Sequence, residues 1–128
     1  MHVLCLCARW CQLCNAYRET FEAVAARHRA HQFAFIDIED EASLLELIEA
    51  VDVVDFPTLL IIDAAGLQFS GSVTPHLETL ERLIRAADSG SLVPPQIGLE
   101  PGALQALLEG ISTRHLYWAA PAPNVSAP

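Results

Sequence analysis

Trp10-Cys11-Gln12-Leu13-Cys14 lies between a short apolar run, Val3 to Cys7, and the first stretch of the chain with helical periodicity. A Cys-x-x-Cys at such a junction sets its first sulfur against the free N–H groups and positive dipole end of a helix, surroundings that favour thiolate over thiol. The second sulfur lies one turn along the same helix, so the two can form and break a disulfide with little backbone movement. Cys11 is then the more exposed and more nucleophilic of the pair. Upstream, His2 to Cys7 reads as a buried strand, since free cysteine behaves as a small hydrophobe. Downstream, Cys14, Tyr17, Phe21, Val24, Ala25 and His28 recur three or four apart and predict an amphipathic helix over residues 11 to about 31. Its other face carries Arg18, Glu19, Glu22, Arg27 and Arg29.

Phe33 to Ile38 is a second apolar run, and strand, long helix, strand is the unit that pairs two parallel strands by a right-handed crossover. Leu44, Leu47, Ile48 and Val51 mark a shorter helix opened by acidic residues. Phe56-Pro57-Thr58 then introduces the strand Leu59 to Ile62, with the proline at the opening position because it cannot donate to a ladder. Asp63-Ala64-Ala65-Gly66 reads as a hairpin turn into Leu67 to Ser72. Thr74 is the expected N-cap of a third helix, with Pro75 at its first position, a stripe of Leu77, Leu80, Leu83, Ile84 and Ala87, and Gly90 as its stop.

From Ser89 to Glu100 the chain is loop-like, and Pro94-Pro95 makes it semi-rigid. A last helix from Pro101 to about Ser112 carries Leu104, Leu107, Leu108 and Ile111 on one face. The Ala/Pro-rich residues from Ala119 onward are expected to be disordered.

A chain of 128 residues that is 52% apolar is long enough for one domain with its own core. Seven arginines, no lysine and sixteen acidic residues give a formal charge of −9. The arginines do not cluster, so a phosphate backbone would be repelled and nucleic-acid binding is not expected. Val3 to Cys7 is too short for a signal peptide or a membrane span and has no basic flank before it, which points to a cytoplasmic protein off the membrane. All four cysteines fall between positions 5 and 14, a poor arrangement for a secreted disulfide framework. In a reducing cytosol, thiols so clustered serve catalysis or metals.

The order of elements and two separate motifs together resemble the thioredoxin superfamily. Trp10-Cys11-Gln12-Leu13-Cys14 is similar to that family's redox centre, and Phe56-Pro57-Thr58 is similar to its cis-proline loop, which faces the dithiol in that fold. The spacing of 43 residues from Cys14 to Pro57 suits the connection between them. The resemblance spans about residues 2 to 88 and implies an α/β chain of minimal thioredoxin-like fold, βαβαββα, lacking the family's N-terminal strand and helix and carrying an added C-terminal helix. It implies a thioredoxin-like domain over 1–88, a linker and helix over 89–118 packed on it, and a disordered tail over 119–128. The sheet edge thus left bare is a pairing hazard unless something covers it. Two further departures stand out. Cys5 occupies the place, six residues before the first motif cysteine, where thioredoxins carry a buried acid that handles protons. The dipeptide Gln12-Leu13 matches none of the usual subfamilies.

By this resemblance Cys11 and Cys14 are the catalytic pair. Trp10, Phe56, Pro57 and Thr58 form the substrate-binding rim, with the cis bond holding Phe56 so that its backbone can pair with an extended segment. Cys5 and Cys7 fall on one strand face and read most simply as core residues. The spacing Cys7-x3-Cys11-x2-Cys14 copies that of radical-SAM cluster ligands, but those enzymes need a longer barrel and a Gly-rich segment that this chain lacks. A zinc site would draw knuckles from separate loops rather than from a strand, so no metal is expected. His28 and His31 read as solvated histidines, and Asp37 to Glu41 as a solvated acidic strand end.

The expected function is that of a thiol–disulfide oxidoreductase acting on protein or small-molecule disulfides. Cys11 would attack and Cys14 resolve, no prosthetic group is needed, and a reductant would recycle the pair. The alternative is a redox-sensing or non-catalytic interaction module whose C-terminal helix holds a partner. The substrate, reduction potential, direction of electron flow, recycling partner and oligomeric state are not encoded in any motif.

Overall fold

The computed structural model describes residues 1–100 and 102–118. Their elements run β1 (His2–Cys7), α1 (Gln12–Arg27), β2 (Gln32–Asp37), α2 (Ala42–Glu46), β3 (Thr58–Asp63), β4 (Gly66–Ser72), α3 (Leu77–Asp88) and α4 (Ala103–Thr113). The expected opening of the last helix at Pro101 and the expected disordered tail from Ala119 lie outside the described residues.

The four strands form one sheet in the order β2-β1-β3-β4. β1 pairs with β2 in parallel and with β3 antiparallel, and β3 pairs with β4 antiparallel. Side chains alternate across the pleat, which divides the core in two. Val3, Cys5, Cys7, Phe33, Leu59 and Ile61 face one side and pack with Cys14, Tyr17, Phe21 and Val24 of α1 and Leu80 and Ile84 of α3. Leu4, Leu6, Ala34, Ile36, Leu60 and Ile62 face the other and pack with Leu44, Ile48, Leu107 and Ile111, from α2, the turns after it, and α4. Helices therefore cover both faces, which is why β1 and β3 read as continuous apolar runs rather than alternating ones.

Several local expectations need correction. The first helix stops at Arg27, not near residue 31: His28 is non-helical at φ −118, ψ 60, and the chain turns there so that Gln32 can align with His2 in the sheet. Tertiary pairing overrides a periodicity that would have continued. The second helix is regular only over Ala42–Glu46, after which tighter turns (Leu47 N–H to Leu44 O, 3.2 Å; Ile48 N–H to Leu45 O, 3.1 Å) carry Ile48 into the core. α3 starts at Leu77 with His76 at its N-cap, not with Pro75 behind Thr74. The Thr74 hydroxyl instead meets that of Thr79 at 3.0 Å.

The histidines are not simply solvated. His28 Nε2 lies 2.8 Å from Glu81 and His31 Nε2 lies 2.9 Å from Asp88, so both tie the end of α1 to α3. The acidic run is also engaged. Asp37 Oδ1 accepts the N–H groups of Glu39 and Asp40, Asp40 pairs with Arg9, and Glu41 pairs with Arg114.

The outer edge of β2, which the missing N-terminal strand would leave bare, is covered by the segment that follows α4. After α4, Tyr117 forms an antiparallel bridge with Ala34, and the Trp118 N–H donates to Phe33 O at 2.9 Å. The Trp118 ring stands edge-on to Phe21 with centroids 5.1 Å apart, so this segment both caps the edge and joins the α1 side of the core.

Candidate functional site

β1 ends at Cys7 and α1 begins after Cys11, so the three-residue connection Ala8-Arg9-Trp10 brings the strand end and the helix start together. Cys11 sits at the N-cap position in extended geometry; its N–H donates to Ala8 O at 2.9 Å and its carbonyl accepts from Asn15 at 3.1 Å. Side-chain capping is absent at this helix start, which leaves the first-turn N–H groups directed toward the Cys11 region. Cys11 is half-buried, whereas Cys14, Cys7 and Cys5 are enclosed in the core.

Cys14 is joined to Cys7 by a disulfide, with the Cα atoms 5.8 Å apart, and Cys11 is a free thiol. The expected partner of Cys14 was Cys11. Cys7, read from the sequence as a plain core residue, is the sulfur that the structure pairs with Cys14. Both neighbours of Cys14 have a claim on it: Cys11 precedes it by one helical turn, and Cys7 ends the strand on which that turn packs. Cys5 Sγ lies 3.5 Å from Cys7 Sγ, so three of the four sulfurs are contiguous. Burial drives the Cys5 thiol well above the usual cysteine range and keeps it protonated. The Tyr17 hydroxyl is raised for the same reason, with Cys5 adding to the effect, and its oxygen is buried without a hydrogen-bond partner.

The second motif reaches the same place. The Phe56–Pro57 peptide is cis, and the Thr58 hydroxyl donates to Asp55 O within that loop. Trp10 and Phe56 meet edge to face with ring centroids 5.7 Å apart, and both Cys11 and Phe56 pack against the α1-side core. Residues 10 and 56 are thereby brought together across the end of the sheet. Trp10 and Leu13, on either side of Cys11 in sequence, are 68% and 53% exposed, and Val54 is 75% exposed just ahead of Phe56. Thr58 is itself buried at the start of β3 and presents little side chain to a ligand. Among the described residues no group of three or more His, Cys, Asp or Glu is disposed to hold a metal ion, and no helix is long and apolar enough to cross a membrane.

A central mixed sheet with helices on both faces, cysteines at the first strand-to-helix junction and a cis-proline just ahead of β3 define a thioredoxin fold. Solved structures agree. The chain is similar to the germline-specific thioredoxin Deadhead of Drosophila melanogaster, with a TM-score of 0.57 and 21% identity over 66% of this chain and 77% of that one. Mitochondrial thioredoxin 3 of Saccharomyces cerevisiae is similar with a TM-score of 0.56 and 18% identity over 66% and 76% of the two chains. Thioredoxin 1 of Thermosipho africanus matches with a TM-score of 0.51 and 18% identity over 69% and 99%. No family model matches this chain, and no curated protein sequence matches it either. At these identities the likeness establishes the fold.

Proposed function

We propose that this chain is a thiol–disulfide oxidoreductase whose nucleophile is Cys11 and whose resolving residue is Cys14. The observation that carries this reading is the junction itself: a free, half-buried thiol at an uncapped helix start, one turn from a buried cysteine that already takes part in a disulfide. In the cycle, Cys11 thiolate attacks a substrate disulfide, releasing one substrate thiolate and forming a mixed disulfide. Cys14 attacks Cys11 and releases the second. A thiol reductant returns the pair to the dithiol. The thioredoxin-fold neighbours support chemistry of this class.

Exposed Trp10 and Leu13 beside Cys11, with Phe56 against Trp10, support a protein disulfide in an extended segment as substrate rather than a small molecule. An apolar rim around a reactive atom gains from burying apolar side chains of a partner. The alternative of a partner-binding arm at the C-terminal helix has less support, because Leu107 and Ile111 of α4 are buried against the chain's own sheet.

Trapping tests the two roles. Cys14→Ser is expected to accumulate mixed disulfides with protein substrates through Cys11, and Cys11→Ser to accumulate few. Equal yields from the two variants would mean that Cys11 is not the nucleophile and Cys14 not the resolving thiol.

A further inference from the structure

A two-cysteine cycle leaves Cys7 without a task, yet Cys7 is the residue bonded to Cys14 while Cys11 stands free. We propose that Cys7 is a third redox cysteine, which takes Cys14 over from Cys11 and stores the oxidised state as a buried Cys7–Cys14 disulfide. The proposal rests on the dithiol reading above and extends it. In the step itself, Cys7 thiolate attacks Cys14 Sγ of the Cys11–Cys14 disulfide. The Cys7–Cys14 bond forms, the Cys11–Cys14 bond breaks, and Cys11 leaves as thiolate and takes up the proton that Cys7 gave up. One disulfide is exchanged for another, so no oxidant or reductant is consumed.

Three observations support the direction of this exchange. The Cα atoms of Cys7 and Cys14 lie 5.8 Å apart, within the span that disulfides ordinarily bridge. Both residues are only 1% exposed, so their bond is shielded from thiols in solution, while Cys11 remains within reach of them. Cys5 Sγ is 3.5 Å from Cys7 Sγ, and since a disulfide sulfur bears no hydrogen, Cys5 is the donor in that contact. The same S–H faces Cys7 when it carries negative charge, as attacking thiolate in the forward step and leaving group in the reverse. The oxidised chain therefore keeps a free, half-buried thiol at the helix start, where a two-cysteine enzyme would have none.

The arginine positions make the test direct. Trypsin cleaves after Arg9 and Arg18, which puts Cys5 and Cys7 on one peptide and Cys11 and Cys14 on the next. The full chain is oxidised with diamide, alkylated while folded, digested without reduction and mapped by mass spectrometry. The expected result is residues 1–9 linked to residues 10–18 through Cys7 and Cys14, with Cys11 alkylated. Excess dithiothreitol should remove that link from the folded wild-type chain by way of Cys11, whereas Cys11→Ser, which has no Cys11–Cys14 disulfide for Cys7 to attack, should form the link far more slowly. A disulfide contained within residues 10–18 of the oxidised wild-type chain, with Cys7 still a thiol, overturns the proposal. A Cys7–Cys14 link that survives excess dithiothreitol in the folded chain overturns it too, because the bond would then be a fixed staple. Trapping by Cys14→Ser does not depend on Cys7, so either negative result leaves the oxidoreductase reading standing, and a failure of trapping alone removes that reading instead.

Discussion

The Tyr117 hydroxyl lies 2.8 Å from Nδ1 of His2, joining the segment after the last helix to the first residue of the first strand. Burial, and then the N-terminal ammonium, lowers the His2 pKa from 6.5, while burial raises that of Tyr117 to about 12. A neutral imidazole with its hydrogen on Nε2 accepts the hydroxyl's hydrogen at Nδ1. Tyr117→Phe is expected to cost about 1 kcal/mol, the usual net worth of one hydrogen bond, and to lower Tm by about 4 °C. Because the folded pKa of His2 is the lower one, its contribution is complete above pH 6.5 and is lost as pH falls through the folded value. Thermal melts of the wild type should show that slope, and melts of His2→Gln should not.

Glu81 holds the other end of the α1 side. Burial alone would raise its pKa, but His28 at 2.8 Å and Arg27 at 3.4 Å outweigh burial and hold it below 4.5. A depressed carboxylate contributes stability that is present above its unfolded pKa and disappears as pH falls through the folded one. Acid unfolding should therefore show a stability loss beginning near pH 4.5 that Glu81→Gln abolishes. At pH 6 the same substitution should cost about 1–2 kcal/mol, the size of a hydrogen bond to a charged group on a largely covered side chain. A flat acid limb in the wild type would mean that the clasp contributes nothing in solution.

Trp10 touches Phe56 edge-on yet remains mostly in solvent, so its ring is worth more to a bound partner than to the fold. Trp10→Ala is expected to change stability by about 0.5 kcal/mol or less. Turnover of a protein disulfide should fall about tenfold in kcat/KM, corresponding to about 1.4 kcal/mol of lost contact. Turnover of a small-molecule disulfide should fall much less. Equal losses on both substrates would place the role of Trp10 in holding Cys11 rather than in binding.

Periodicity and turn chemistry made most of the architecture legible in advance. The apolar stripe from Cys14 to Val24, the buried run Leu59 to Ile62 and the turn at Asp63–Gly66 each stand where the physics of burial puts them. Three features were illegible, two of them because they depend on contacts between residues far apart in the chain. Nothing at His28 or His31 reveals that Glu81 and Asp88 lie opposite, since a histidine at a helix end is equally suited to water. Leu116 to Trp118 has no strand pattern, because it contributes a single bridge to the edge of β2. The partner of Cys14 is a local matter, but spacing alone is indifferent to it: a strand end and a helix start converge on the same sulfur, and only the angle between the elements decides which cysteine reaches it.

The stripe Leu104, Leu107, Leu108 and Ile111 had no place within the minimal fold, and the structure lays α4 on the sheet face beside α2. Leu107 and Ile111 are 1% and 0% exposed among Leu4, Leu6, Ala34 and Ile36. Gly110 lies against Leu44 so closely that a Cβ there would collide with the leucine's Cδ2, which lets the helix approach α2. Leu107→Ala should therefore cost about 2–5 kcal/mol, as for other buried leucines, and Gly110→Leu about 1–3 kcal/mol by overpacking. Glu109→Ala, on the exposed face, should change stability by about 0.5 kcal/mol or less. A chain truncated at Asp88 should expose the face that α4 covers, melt lower and associate, while Cys11 remains open to alkylation. If Leu107→Ala and Glu109→Ala melt alike, and the truncated chain stays monomeric with an unchanged Tm, then α4 adds nothing to the core.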